Sequence, residues 1–225
     1  SSKDVGDNIN VTATGYTISN KDSFKASNYN LLDTSKTTTA NISKASLTAT
    51  LNDNSKTYDG TSYSGGNGIT FNGFVNGETA SLLGGNLVYS GTSQGAKDAG
   101  NYIISGSGLT SNNYNISFVD GKLTINKKDL TISNITANNK TYDGTTTATL
   151  SNIGTLVGLV TGEDLVLNNP TSVIFSSKDV GDNINVTATG YTIADKDSFK
   201  ASNYNLADTS KTTTANIVAS VNPTP

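Results

Sequence analysis

The 225-residue chain is 34% hydrophobic and only 15% charged, with a formal net charge of −3. It contains no Cys, His, Met or Trp, which excludes disulfides, Cys- or His-based zinc sites, and Cys/His or Ser/His/Asp nucleophile systems. Its Lys residues are scattered, with one adjacent pair at Lys127-Lys128 and no basic stripe, so the clustered cations that grip nucleic-acid phosphates are missing. No stretch approaches the roughly 18–20 apolar residues that span a bilayer.

Thr, Ser, Asn and Gly fill most of the remaining sequence. That mixture is poor in helix formers and suits strands, and its low charge density does not fit charged disorder. From the N-terminus, residues 1–42 recur at 176–217 with 39 identities in 42, differing only at Ser19/Ala194, Asn20/Asp195 and Leu32/Ala207. Such near-identity marks a tandem array. No signal peptide opens the chain, which begins mid-repeat and is expected to be an excerpt of a longer protein.

A weaker repeat lies within the first. Leu47-Thr48 and Leu130-Thr131 each precede the hexapeptide KTYDGT, at 56–61 and 140–145. GFVNGE (73–78) then matches GLVTGE (158–163), KDAGNY (97–102) matches KDVGDN (178–183), and SNNYNI (111–116) matches ASNYNL (201–206). The expected division is therefore residues 1–45 as the back half of one unit, complete units at 46–127 and 128–218, and the start of a linker or strand at 219–225. Lacking its front half, the segment 1–45 cannot complete its own core. It is expected to pair with a neighbouring chain, dock on the following unit, or stay mobile.

In chain order, KTYDGT follows the first strand of each unit, where Asp-Gly suits a turn. Its Tyr, Tyr58 or Tyr142, is expected to pin that loop to the sandwich by ring packing and a hydroxyl hydrogen bond. NGETASLLG (76–84) is the one helix candidate, of two turns at most. Tyr114, Ile116 and Phe118 alternate with polar residues before Asp120-Gly121, followed by Leu123 and Ile125, the pattern of a hairpin. SVIF (172–175) fits a central strand, and INVTATGYTI (184–193) alternates again. Short strands separated by Gly- and Asn-containing turns predict an all-β fold: tandem small Ig-like β-sandwich repeats arranged as an elongated rod, with β-grasp-like repeats as the alternative. A continuous β-solenoid fits less well, since its repeats run nearer 20–30 residues.

These ordered motifs resemble two repeat families of large, filamentous-haemagglutinin-like bacterial adhesins. KTYDGTTTATL, VIFSSKDVGDNINVTATGYTI and TTTANI in the second unit are similar to the YDG repeat. The first unit, with GFVNGETASLLGG, AKDAGNYIISGSG and SNNYNISFVDGKLTINKK, resembles its relative, the MBG repeat. There Tyr58-Asp59-Gly60 stands where MBG repeats more often read Tyr-Gly-Asp. The resemblance implies a secreted or cell-surface protein of great length, active in adhesion or biofilm formation, whose repeats form a stalk projecting a distal binding region. It implies no catalysis and no cofactor. The other functional class is a binding module in which the repeats themselves contact host glycan, matrix protein or neighbouring cells. Expected partners are neighbouring repeats of the same chain and, in the second reading, a host-surface glycan or protein; nucleic acid and membrane insertion are not expected.

Candidate chemistry is sparse, and no catalytic, cofactor-binding or metal-ligating residue is assigned. Asp195 with Asp197 and Glu163 with Asp164 are paired carboxylates of the kind used in acid/base work. The other unit does not preserve either pair, so both read as solvated surface. NDNSKTYD (52–59) and DKD (195–197) offer oxygen ligands for calcium without the spacing of a known loop. Asn-x-Ser/Thr triplets at Asn10, Asn41, Asn115, Asn134, Asn139 and Asn185 arise by chance in so Asn- and Thr-rich a chain. A Lys–Asn isopeptide crosslink needs contacts that sequence does not reveal. Tyr102, Tyr114, Tyr204 and Tyr29 occupy repeat-specific places. They suit core filling with a hydroxyl that ties down a loop, rather than a sugar-stacking platform.

Overall fold

A computed structural model of the chain describes residues 2–221; residues 222–225 of the expected segment 219–225 lie outside the described residues. The described chain is all-β, its only helical elements being three short 3₁₀ turns. It divides into two compact units. The first takes in residues up to Asn52 together with 66–90 and 105–121, and the second holds 53–65, 91–104 and the chain from Lys122 onward.

In the first unit the strand Ala45–Leu51 alternates buried and half-buried residues from Leu47 onward, placing Leu47, Ala49 and Leu51 in the core. It pairs antiparallel with Ile69–Asn72 and parallel with Tyr114–Val119. The parallel partner corrects the expected hairpin, because Tyr114–Val119 does not turn back on the strand that follows it. Gly121 is needed for close approach rather than for a left-handed turn: a Cβ there would stand 2.5 Å from the Leu51 carbonyl oxygen. The helix expected over 76–84 shrinks to one 3₁₀ turn, Ala80–Leu82, since Gly84 and Gly85 pass directly into the strand Gly84–Ser90.

Residues 6–42 of this unit form a two-stranded antiparallel ribbon, Gly6–Thr14 with Ser35–Ile42. Nearly every residue of it is exposed. The near-identical sequence in the second unit pairs in the same register, Gly181–Thr189 with Ser210–Val218. There one face is buried: Val186 and Ala188 are 0% exposed, where Val11 is 46% exposed. One sequence thus takes one local structure with two burial states, according to whether a front half covers it.

That front half is supplied by the strands of 128–175. Lys128–Ser133 pairs parallel with Tyr204–Leu206 and antiparallel with Thr155–Val157. Lys140–Thr141 pairs parallel with Ser210–Val218, and Ser172–Phe175 lies at the edge of the same four-stranded sheet. The strand expected to be central is therefore an edge strand, supported on its outer side by a single bridge from Thr147 to Ile174. Two hydrophobic clusters fill this sandwich. Phe175, Val186, Ala215 and Ile217 form one with Ala148; Ile132, Ala188 and Tyr191 form the other, with Leu150, Leu156 and Leu206 against it. Also in this unit, Asn54–Thr57 pairs in parallel with residues 123–126.

Candidate interaction site

The same small constellation of side chains occurs once in each unit. Its base is a tight turn presenting a glutamate. In the first unit the Glu78 N–H donates to the Val75 carbonyl (2.9 Å), across Asn76 and Gly77 with φ of 52° and 73°. In the second the Glu163 N–H donates to the Val160 carbonyl at the same distance, with Gly162 at φ 86°. A buried tyrosine from the strand after the Asn-rich turn closes on it. Tyr114 accepts the Val75 N–H (3.2 Å) and donates to Glu78 Oε2 (2.5 Å). Tyr204 accepts the Val160 N–H (3.1 Å) and donates to Glu163 Oε2 (2.6 Å). Burial and the Glu163 carboxylate push the Tyr204 hydroxyl up to about 12.

Beside each tyrosine, the preceding asparagine grips a Lys-Asp-Val or Lys-Asp-Ala loop. In the first unit Asn113 Nδ2 donates to Asp4 Oδ1 (2.9 Å) while its Oδ1 accepts the Val5 N–H (3.0 Å). In the second, Asn203 Nδ2 donates to Asp98 Oδ1 (2.9 Å) and its Oδ1 accepts the Ala99 N–H (2.7 Å). Asn203 is 2% exposed, so both bonds satisfy groups that water does not reach. Lys200 adds an ion pair to Asp98 (2.6 Å). The Asp98 carboxyl is held below its usual range by Lys200 and then Asn203, and that of Asp4 by Asn113 and then Lys3. This two-bond grip is an amide reading a carboxylate and the next N–H, and it fixes orientation as well as distance.

The KTYDGT hexapeptide completes the constellation in the second unit. Tyr58 is 3% exposed, donates to Glu163 Oε1 (2.7 Å) and meets the Tyr204 ring edge-on at 5.3 Å. Burial first, and then Glu163, push its hydroxyl above the ordinary range. Glu163 thus accepts one tyrosine on each carboxylate oxygen. The loop behind Tyr58 is self-braced. Asp59 Oδ1 accepts the Thr61 N–H (2.9 Å), the Thr61 hydroxyl (2.7 Å) and the Lys56 ammonium (2.7 Å). Asp143 repeats this with Thr145 (2.8 and 2.8 Å) and Lys140 (2.7 Å).

Family models match this chain twice: the MBG domain (YGX type) over residues 47–124 and the YDG domain over residues 126–214. The chain carries an MBG domain followed by a YDG domain. No curated protein matches it. The MBG match stands although its tyrosine motif reads Tyr58-Asp59-Gly60. Within the second unit, the contact around Glu163 and Asn203 therefore joins residues of the MBG domain (Tyr58, Asp98 and Ala99) to residues of the YDG domain.

The residues singled out in the sequence separate in the structure. Glu163 is half-buried under its two tyrosines, whereas Asp164 is exposed, paired with Lys196 and bonded to the Leu165 N–H. The two carboxylates do not act together. Asp195 accepts the Ala201 N–H (2.7 Å) at the start of the 3₁₀ turn Ala201–Asn203, and Asp197 occupies a left-handed position at φ 54°. Among the described residues no three His, Cys, Asp or Glu side chains cluster to hold a metal ion.

Tyr102 ties down the Asp98 carbonyl (2.8 Å). Tyr114 and Tyr204 are buried as expected of core tyrosines, but Tyr29 is 65% exposed, because no Gly-Glu turn precedes it in the segment 1–45. Tyr58 also departs from expectation. Its hydroxyl reaches the following domain rather than its own sandwich, and Tyr142 is 41% exposed. Asn113 and Asn203, which make the grip, are not singled out by the sequence pattern. The signal for them was available, since an Asn precedes the Tyr in SNNY and ASNY alike.

Proposed function

We propose that this chain is a segment of the stalk of a long, secreted bacterial surface adhesin, with repeats that act as spacers for a distal binding region and carry out no catalysis. The observation that supports this is the recurrence of the asparagine grip. Asn113 and Asn203 each hold the Lys-Asp loop of the preceding repeat through the same pair of bonds. A spacer needs each repeat to fix the orientation of the next. A ligand pocket has no use for a residue set spent on its own neighbours.

Small-angle scattering of the 225-residue chain tests the reading. A spacer gives a radius of gyration well above the roughly 17 Å expected of a single globule of this length. A value near that figure, or retention of the chain on a glycan array, contradicts it.

A further inference from the structure

The YDG domain carries a third copy of the loops that are gripped elsewhere, and this copy is exposed. Lys178-Asp179-Val180 has the sequence of Lys3-Asp4-Val5. The Asp179 N–H donates to the Ser177 hydroxyl at 3.0 Å, as the Asp4 N–H does to Ser2. The loop thus has the same internal bond whether or not it is gripped. Yet Val5 is half-buried, while Val180 is 53% exposed.

The tyrosine loop of the same domain shows the same contrast. Tyr142 is 41% exposed against 3% for its equivalent Tyr58. A Cβ on Gly60 would meet Val160 at 3.1 Å and Glu163 at 3.2 Å, whereas one on Gly144 meets nothing within 4 Å. The lysine and threonine braces around Asp59 and Asp143 match, so the second loop is preformed and solvent-facing.

We propose that Tyr142 together with Asp179 and Val180 is a docking face for a further MBG-type repeat joined in tandem behind the strand Ser210–Val218. The chain itself identifies the occupant. Residues 1–42 are a near-copy of 176–217, and their Lys-Asp-Val loop is held by Asn113 of an MBG domain, with Lys3 3.6 Å from Glu78. Among the described residues, that grip includes no tyrosine from the preceding repeat, and a cavity of about 110 Å³ lies there, lined by Lys3, Val5, Val75, Glu78 and Tyr114 among others. At the YDG face Tyr142 supplies the missing ring, donating to the incoming glutamate as Tyr58 does to Glu163. Val180 donates its N–H to the incoming asparagine, and Asp179 accepts from that amide. The inference rests on the grip geometry and not on the stalk role, so either can fail without the other.

The test extends the full chain by splicing a copy of residues 43–128 after Ile217, which reproduces the Ile42–Ser43 junction. Hydrogen exchange at the Val180 amide is expected to slow about tenfold or more relative to the 225-residue chain, as for an amide that gains a protected partner. Tyr142→Phe and Asp179→Ala are expected to lower the melting temperature of the extended chain by several degrees and to leave that of the 225-residue chain within about one degree. Val180 exchange at equal rates in the two chains overturns the proposal, as do equal melting shifts in both.

Discussion

Asp59 and Asp143 show how much of the KTYDG motif is local chemistry. Each carboxylate is held at about 2, chiefly by its lysine three residues back and then by Thr61 or Thr145. A carboxyl whose folded value lies below its ordinary 3.8 stabilises the fold above that pH and loses the contribution as pH falls towards about 2. The double variant Asp59→Asn/Asp143→Asn is therefore expected to flatten the melting-temperature profile between pH 4 and 2, which a calorimetric pH series measures. The tyrosines act in the opposite direction. A hydroxyl raised from 10.0 to about 12, as in Tyr204, stabilises the fold below pH 10 and loses that contribution as pH climbs through 12. Tyr204→Phe should accordingly weaken the alkaline limb.

Gly144 holds φ +75° with open space around it, so Gly144→Val is expected to cost about 1–3 kcal/mol through backbone strain alone. Denaturant titration should find Asp143→Asn milder, since the amide oxygen still accepts from Thr145. The turn and the Asp acceptor were legible in the sequence because both act within a few residues. The destination of Tyr58 was not, because its acceptor lies 105 positions away.

Among the elements, the two copies of the Thr-rich ribbon separate intrinsic strand formation from burial. Alternation over 184–193 predicts a strand there, and both copies form it with the same register. Val186→Ala is expected to destabilise by roughly 2 kcal/mol through lost burial and residual cavity, and Val11→Ala by less than about 0.5 kcal/mol as a surface change; equilibrium unfolding of the two variants makes the comparison directly. The same contrast explains what local pattern did not reveal. Asp120-Gly121 has the composition of a hairpin turn, but its flanking strands pair in parallel with strands far back in the chain. Long-range parallel pairing leaves no trace in a two-residue turn. The edge position of Ser172–Phe175 escaped notice for a related reason, since an apolar run reports burial of side chains and not the number of hydrogen-bonded neighbours.

For the whole molecule, the repeats were visible as text, and the means by which one repeat engages the next was not. KDxG, the Gly-Glu turn and the Asn-Tyr pair all stood out as recurring motifs, but nothing in their spacing showed that the first belongs with the other two of the following repeat. In the second unit this grip joins MBG and YDG residues through Tyr58, Glu163, Asp98 and Asn203. A double-mutant cycle on the full chain, with Tyr58→Phe, Glu163→Ala and the pair followed by denaturant unfolding, tests it most directly. The account predicts a coupling energy of about 1 kcal/mol or more, as for a partly buried hydrogen bond to a charged acceptor. Effects that add to within about 0.3 kcal/mol would show that the two residues do not hold each other, and would contradict it.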